Sequence, residues 1–146
     1  MVQAAGCTIL VVDDEPGILS ALEGLLGRQG YTVTTAVNGA LAWEHLQAKR
    51  YDVILVDIHM PEIDGTAFYA MLQQYYPSLC SRVVFLTGDT LGDTTKAFLE
   101  QGGQPYVYKP CGADEILHAI EQVLRTADNP PYPEFVRDTC DNSRQR

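Results

Sequence analysis

The chain of 146 residues lacks any uninterrupted run of about 18 apolar residues, so it offers no membrane-spanning helix. Basic residues are scarce: 10 Lys and Arg stand against 19 Asp and Glu, giving a net charge of -9. That is the wrong sign for a domain that grips phosphate backbones, and no direct nucleic-acid contact is expected. Cysteine is also thin. Cys7, Cys80, Cys111 and Cys140 lie far apart with no C-x-x-C pair, which argues against a zinc site or a disulfide framework and for reduced thiols or small core fillers. The first six residues carry no Lys or Arg, and the apolar run behind them already holds Asp13 and Asp14, unlike a secretory signal. The expectation is a cytoplasmic protein with no membrane partner.

At this length one hydrophobic core fits and a second full domain does not. Short apolar runs alternate with segments of helical period. Residues 8–12 are β-branched and apolar on both faces, as in a strand covered on both sides. Ile18, Leu19, Leu22, Leu25 and Leu26 then repeat at helical spacing, with Pro16 in the first turn and Gly30 past the end. Residues 31–36 read as a second strand, and Asn38 as the cap of a helix carrying Leu41, Ala42, Trp43 and Leu46. Residues 51–56 are the most apolar strand, followed by a loop marked by Met60-Pro61 and Asp64-Gly65. Residues 66–76 suit a helix with Phe68, Met71, Leu72 and Tyr75 inward, ended by Pro77. A fourth strand at 82–86, a short helix at 94–100 with Ala97 and Phe98 inside, and a weaker strand at 105–108 follow. The last helix spans about 113–125, with Ile116, Leu117, Ile120, Val123 and Leu124 on one face.

Five strands alternating with five helices imply right-handed crossovers and a doubly wound parallel α/β sheet. Ligands in such sheets bind beyond the carboxyl ends of the strands, so the residues ending each run matter most. The first run ends in Asp13-Asp14 with Glu15 next, the third in Asp57, the fourth in Thr87 and the fifth in Lys109-Pro110. Carboxylates that converge on one rim repel unless a cation sits among them. Oxygen ligands without a Cys or His cluster favour Mg²⁺, with Mn²⁺ second, over zinc. A nucleophilic Asp57, an acid pair for the metal and a fixed ammonium are the parts that phosphoryl transfer needs.

The motifs at residues 11–15 (VVDDE), 56–61 (VDIHMP) with Asp64-Gly65, 86–88 (LTG) and 106–110 (YVYKP) resemble the receiver domain of two-component response regulators. The resemblance covers roughly residues 8–125. It implies a flavodoxin-like sheet in the order 2-1-3-4-5, an N-terminal extension at 1–7, a receiver at 8–126 and a tail or linker at 127–146. It further implies that Asp57 is the phosphoacceptor, Asp14 a direct Mg²⁺ ligand, Asp13 a ligand directly or through water, and the His59 backbone carbonyl another. Thr87 and Lys109 would contact the phosphoryl oxygens, and Tyr106 would be an aromatic switch that turns inward when Thr87 is drawn to the phosphoryl group, with Gly88 leaving space. Implied partners are a histidine kinase or phosphotransfer protein, a downstream effector, and a second copy meeting through the fourth helix, fifth strand and fifth helix.

Residues 86–100 look like receivers attached to hybrid histidine kinases. Cys111, where the family usually has a large apolar residue, and Gly88, where Ala is common, depart from the pattern. His59 and Asp89 stand where the family tunes the lifetime of the acyl phosphate. In the tail, Tyr132, Phe135 and Val136 are candidates for docking on the domain or on another copy. The competing function is a Mg²⁺-dependent phosphohydrolase with an Asp nucleophile. Such enzymes typically place a second acid two residues beyond the nucleophile, and here that residue is His59.

Overall fold

The computed structural model describes residues 7–88, 93–109 and 112–126. Its strands are β1 (Thr8–Val12), β2 (Thr32–Ala36), β3 (Val53–Asp57), β4 (Val83–Thr87) and β5 (Tyr106–Tyr108). They form one parallel sheet in the order β2-β1-β3-β4-β5. The helices are α1 (Pro16–Arg28), α2 (Gly39–Ala48), α3 (Gly65–Tyr75), α4 (Asp93–Gly102) and α5 (Ala113–Thr126).

Strand alternation divides the core in two. Ile9, Val11, Val53, Leu55, Val84 and Leu86 pack against α1 and α5 through Leu22, Leu26, Ile116, Ile120 and Val123. Leu10, Val12, Ile54, Val56, Val83 and Phe85 meet Ala42, Leu46, Phe68, Tyr69, Leu72 and Leu99 on the opposite face. Because the middle strands are covered on both sides, all five residues of β3 and of β4 are buried. Periodicity alone would read such runs as featureless; their β-branched content and length identify them as central strands.

Several sequence expectations shift. The third strand starts and ends later than 51–56, so that Asp57 itself is its last residue. The fourth starts at Val83 because Pro77–Arg82 forms a 3₁₀ turn that the sequence reading did not anticipate. In α3 the buried stripe is Gly65, Phe68, Tyr69 and Leu72, an i, i+3, i+4, i+7 pattern. Tyr75 continues the same spacing at the last residue of the helix yet is 60% exposed, contrary to its expected inward position. In α4, Leu99 is buried and Phe98 half-buried, whereas Ala97 is exposed rather than inside. Leu41 of α2 also faces outward. Cys7 is buried and Cys80 half-buried, both as thiols. Asp89, Pro110, Cys111, Cys140 and the tail residues Tyr132, Phe135 and Val136 lie outside the described residues.

Candidate functional site

Parallel register decides what meets at the carboxyl edge. Val12 pairs with Ala36 on one side and Val56 on the other, so the chain reverses its direction of strand addition at β1 and β3. Asp13 and Asp14 leave β1 at this point, directly beside Asp57 at the end of β3. Asp57 is in register with Leu86, and Thr87 with Tyr108. Thr87 and Lys109 are thereby carried to the same edge. The Lys109 backbone N–H donates to the Thr87 carbonyl at 2.7 Å, fixing the start of the loop after β5.

The carboxylates of Asp13, Asp14 and Asp57 each offer an oxygen within 4.8 Å of the others. Asp13 is fully buried and Asp57 nearly so, whereas Asp14 is exposed. The Lys109 ammonium bridges the group, donating to Asp13 Oδ2 at 3.0 Å, Glu15 Oε1 at 3.2 Å and Asp57 Oδ2 at 3.3 Å. The other oxygens are also used: Asp13 Oδ1 accepts from the Glu15 N–H at 2.9 Å, and Asp57 Oδ1 from the His59 N–H at 3.2 Å. The His59 side chain is exposed.

Burial and the charge of Asp13 push the Asp57 carboxyl above the ordinary carboxylate range, even though Lys109 and the His59 N–H oppose them. Burial alone would pull the Lys109 ammonium down. The Asp13 hydrogen bond and the charges of Asp57 and Asp13 outweigh it and hold the group above its ordinary value. A close ion pair would ordinarily lower its acid. At Asp57 burial outweighs that effect, and by formal charge the single ammonium faces the carboxylates of Asp13, Asp14, Glu15 and Asp57, so it does not neutralise the cluster. An all-oxygen donor set with this residual negative charge fits a hard divalent cation.

The approach to the site is shaped by Gly65. A Cβ there would stand 2.6 Å from Ile58 Cα and 2.8 Å from the Asp57 carbonyl oxygen, so only glycine lets α3 start so close to the end of β3. The Gly65 N–H donates to the Ile58 carbonyl at 2.8 Å. Asp64 caps α3, accepting from the Ala67 N–H at 2.9 Å and the Thr66 hydroxyl at 2.8 Å. In the loop between Asp57 and Asp64, Glu62 adopts φ 67°, a left-handed conformation that a Glu takes at a cost.

Thr87 is fully buried, and its hydroxyl is 3.5 Å from the Gly88 carbonyl. Tyr106 is 38% exposed, its ring set edge-on against Tyr108 at 5.7 Å. The structure thus gathers Asp13, Asp14, Asp57, Thr87 and Lys109 at one edge and leaves Tyr106 outside it. Sequence reasoning gave Glu15 no role, although a Glu in an N-cap position that usually takes Ser, Thr, Asp or Asn was a visible signal. It also missed a buried polar group at the opposite end of the sheet. There Asp52 accepts from the Thr8 N–H at 2.8 Å, and Arg82 donates to the Asp52 carbonyl at 3.1 Å. That group joins β1, β3 and β4 and is structural.

The family model for the response regulator receiver domain matches residues 9–121. The DNA-binding transcriptional regulator NtrC of Escherichia coli K12 is 34% identical over 129 residues, covering 88% of this chain and 27% of the relative. The probable transcriptional regulatory protein TcrX of Mycobacterium tuberculosis is 32% identical over 118 residues, 81% of this chain and 50% of that protein. The chain thus spans only a quarter to a half of these curated relatives. Among solved structures, the signal receiver domain of an HD domain-containing protein from Pseudomonas fluorescens Pf-5 has a TM-score of 0.74 at 31% identity, covering 83% of this chain and 96% of that one. The signal receiver domain of a signal transduction histidine kinase from Syntrophus aciditrophicus has a TM-score of 0.75 at 26% identity, with coverage of 88% and 97%. With its flavodoxin-like strand order and its acidic carboxyl edge, the chain belongs to the receiver domain family of two-component response regulators.

Proposed function

We propose that this receiver accepts a phosphoryl group on Asp57 from a histidine kinase or phosphotransfer protein, and that the modified site alters the binding of a downstream partner. The observation carrying the reading is the meeting of the Asp13, Asp14 and Asp57 carboxylates within 4.8 Å, with the Lys109 ammonium bridging the buried Asp13 and the nearly buried Asp57. Asp13 and Asp14, with Asp57 and the His59 carbonyl, would hold Mg²⁺, or Mn²⁺ in its place. The ion would neutralise the cluster and charge on the transferring phosphoryl group. Asp57 supplies the attacking oxygen, Lys109 a fixed positive charge beside it, and Thr87 a hydroxyl one register step away. The chemistry is confined to the chain's own acceptor, so the domain acts as a signalling module rather than a turnover enzyme.

The receiver occupies residues 8–126 in this reading, with 1–7 and 127–146 as flanking segments, in a cytoplasmic protein. Among the described residues no helix is long and apolar enough to cross a membrane. Tyr106, exposed beside Tyr108, would swing inward as Thr87 moves toward the phosphoryl oxygens. A Cβ at Gly88 would meet nothing within 4 Å among the described residues, which leaves room near Thr87. The partner surface is α4, β5 and α5, where a cleft of about 500 Å³ is lined by Leu99, Tyr106, Tyr108, His118 and Ala119. A second copy or an effector would dock there. The DNA binding named for NtrC belongs to that protein; the net charge of -9 in this chain argues for protein partners.

Incubation with phosphoramidate and Mg²⁺, followed by intact-mass measurement, tests the reading. One added phosphoryl group that is lost in Asp57→Asn supports it. Multiple turnover without an adduct would indicate a phosphohydrolase, and an unmodified chain would indicate neither.

A further inference from the structure

Glu15 occupies the N-cap position of α1, yet its side chain makes no capping hydrogen bond. It turns instead to the Lys109 ammonium at 3.2 Å. An ammonium has three donors, and here Asp13, Glu15 and Asp57 take all three. Any new acceptor at Asp57 must therefore displace one of them. The three carboxylates are not equal. Asp13 is fully buried, and a carboxylate left without its cation there pays a desolvation cost. Asp57 is the modified group itself. Glu15 is 61% exposed, so water re-solvates it as soon as the contact opens.

We infer that Glu15 is a positioning residue, the exchangeable partner that holds the third Lys109 N–H in the resting site and releases it to the phosphoryl oxygen when Asp57 is modified. The inference rests on the proposed phosphoacceptor role of Asp57. In the transfer, an Asp57 oxygen forms the new P–O bond while the P–N bond of a phosphoramidate donor breaks. Ammonia leaves with the electron pair and takes its proton from solvent. Lys109 keeps all its protons and only changes acceptors, from the Glu15 carboxylate to a phosphoryl oxygen. Glu15 thus competes with the phosphoryl group for the ammonium, and the competition is weak because an exposed ion pair shifts an equilibrium by no more than about five-fold.

Two variants separate the contact from the charge. Glu15→Gln removes the charge and weakens the contact, while Glu15→Asp keeps the charge but withdraws the carboxylate by one methylene. Adduct formation from phosphoramidate at fixed Mg²⁺, and the affinity for beryllofluoride, are read by intact mass and by titration. Both variants are expected to gain about two- to five-fold in both readouts, the range set by a surface pair. Unchanged values in both variants overturn the inference. So does a gain in Glu15→Gln with Glu15→Asp like the wild type, because general repulsion of an anionic donor then accounts for the effect. A wild-type chain that takes no phosphoryl group overturns the acceptor reading itself, whereas a modified wild type with indifferent variants overturns only the role of Glu15.

Discussion

At the scale of single residues the molecule stores its tension at Asp57. A carboxyl raised in the folded state binds its proton more tightly folded than unfolded, so at neutral pH its charge costs stability. The cost disappears as pH falls through the folded value toward the ordinary one. In metal-free buffer Asp57→Asn should therefore melt higher than the wild type at neutral pH, and the gap should narrow as pH is lowered toward about 4. A gap that is absent or constant across that window, measured by calorimetry, would show that Asp57 is not under-compensated. Glu62 is the second strained residue. At φ 67°, replacement by Gly relieves the left-handed conformation and should stabilise by about 1 kcal/mol in chemical denaturation, because the Glu62 side chain makes no hydrogen bond or ion pair among the described residues that would be lost. Nothing in the sequence singled out Glu62, but the place of Asp57 at the end of the third apolar run was readable. The strain was not, since φ at Glu62 follows from how the loop must return to Gly65, and the Asp57 shift from burial by neighbours distant in sequence.

The elements show where local sequence suffices and where packing takes over. β3 was legible as the most apolar run, and α2 from the Asn38 cap, whose side chain accepts from the Leu41 N–H at 2.8 Å. The 3₁₀ turn at Pro77–Arg82 was not, because its geometry depends on Leu79 reaching the core and Arg82 reaching the Asp52 carbonyl across 30 residues. Tyr75 and Tyr69 were exchanged for a similar reason. Both fit a helical period, and the decision falls to Phe85 and Phe98, whose rings meet Tyr69 at 5.5 and 5.8 Å. Trp43 instead gathers Phe68, Tyr75 and Tyr76 along the edge of α3. The start of α3 ties element to site. Asp64→Ala removes its cap and should cost about 1 kcal/mol, while Asp64→Asn should keep most of it. Gly65→Ala drives a Cβ into backbone and should cost about 1–3 kcal/mol, with a loss of Mg²⁺ response that Asp64→Ala does not share, since the clash falls on the Asp57 carbonyl. Urea unfolding with and without Mg²⁺ measures both, and an equal Mg²⁺ response in the two variants would separate Gly65 from the site.

Over the whole molecule, the strand order turns four separate run endings into one rim, and this is why the candidate site residues stand at the ends of apolar runs in the sequence. Four residues at the ends of four runs can share an edge only in a parallel sheet. The link between the rim and the α4-β5-α5 face came only from the family resemblance, and in the proposed mechanism it rests on a second packing of Thr87 and Tyr106. In this structure the Thr87 hydroxyl lies by the Gly88 carbonyl and Tyr106 stays exposed beside Tyr108, the arrangement expected of the unmodified state in the proposed mechanism. Beryllofluoride on Asp57 supplies acceptors for Thr87 and so favours the alternative packing, but only by its differential affinity for the two states, about 1–3 kcal/mol for couplings of this kind. The expected outcome is a shifted Tyr106 ring signal by NMR together with a partial shift to dimer in sedimentation velocity. Thr87→Ala should still bind the mimic while losing both responses, because the hydroxyl that the proposed mechanism uses to couple site to surface is gone. If Tyr106 responds equally in Thr87→Ala, the signal crosses the domain by another route; if neither Tyr106 nor the sedimentation profile responds in the wild type, the domain relays phosphate without changing its α4-β5-α5 face.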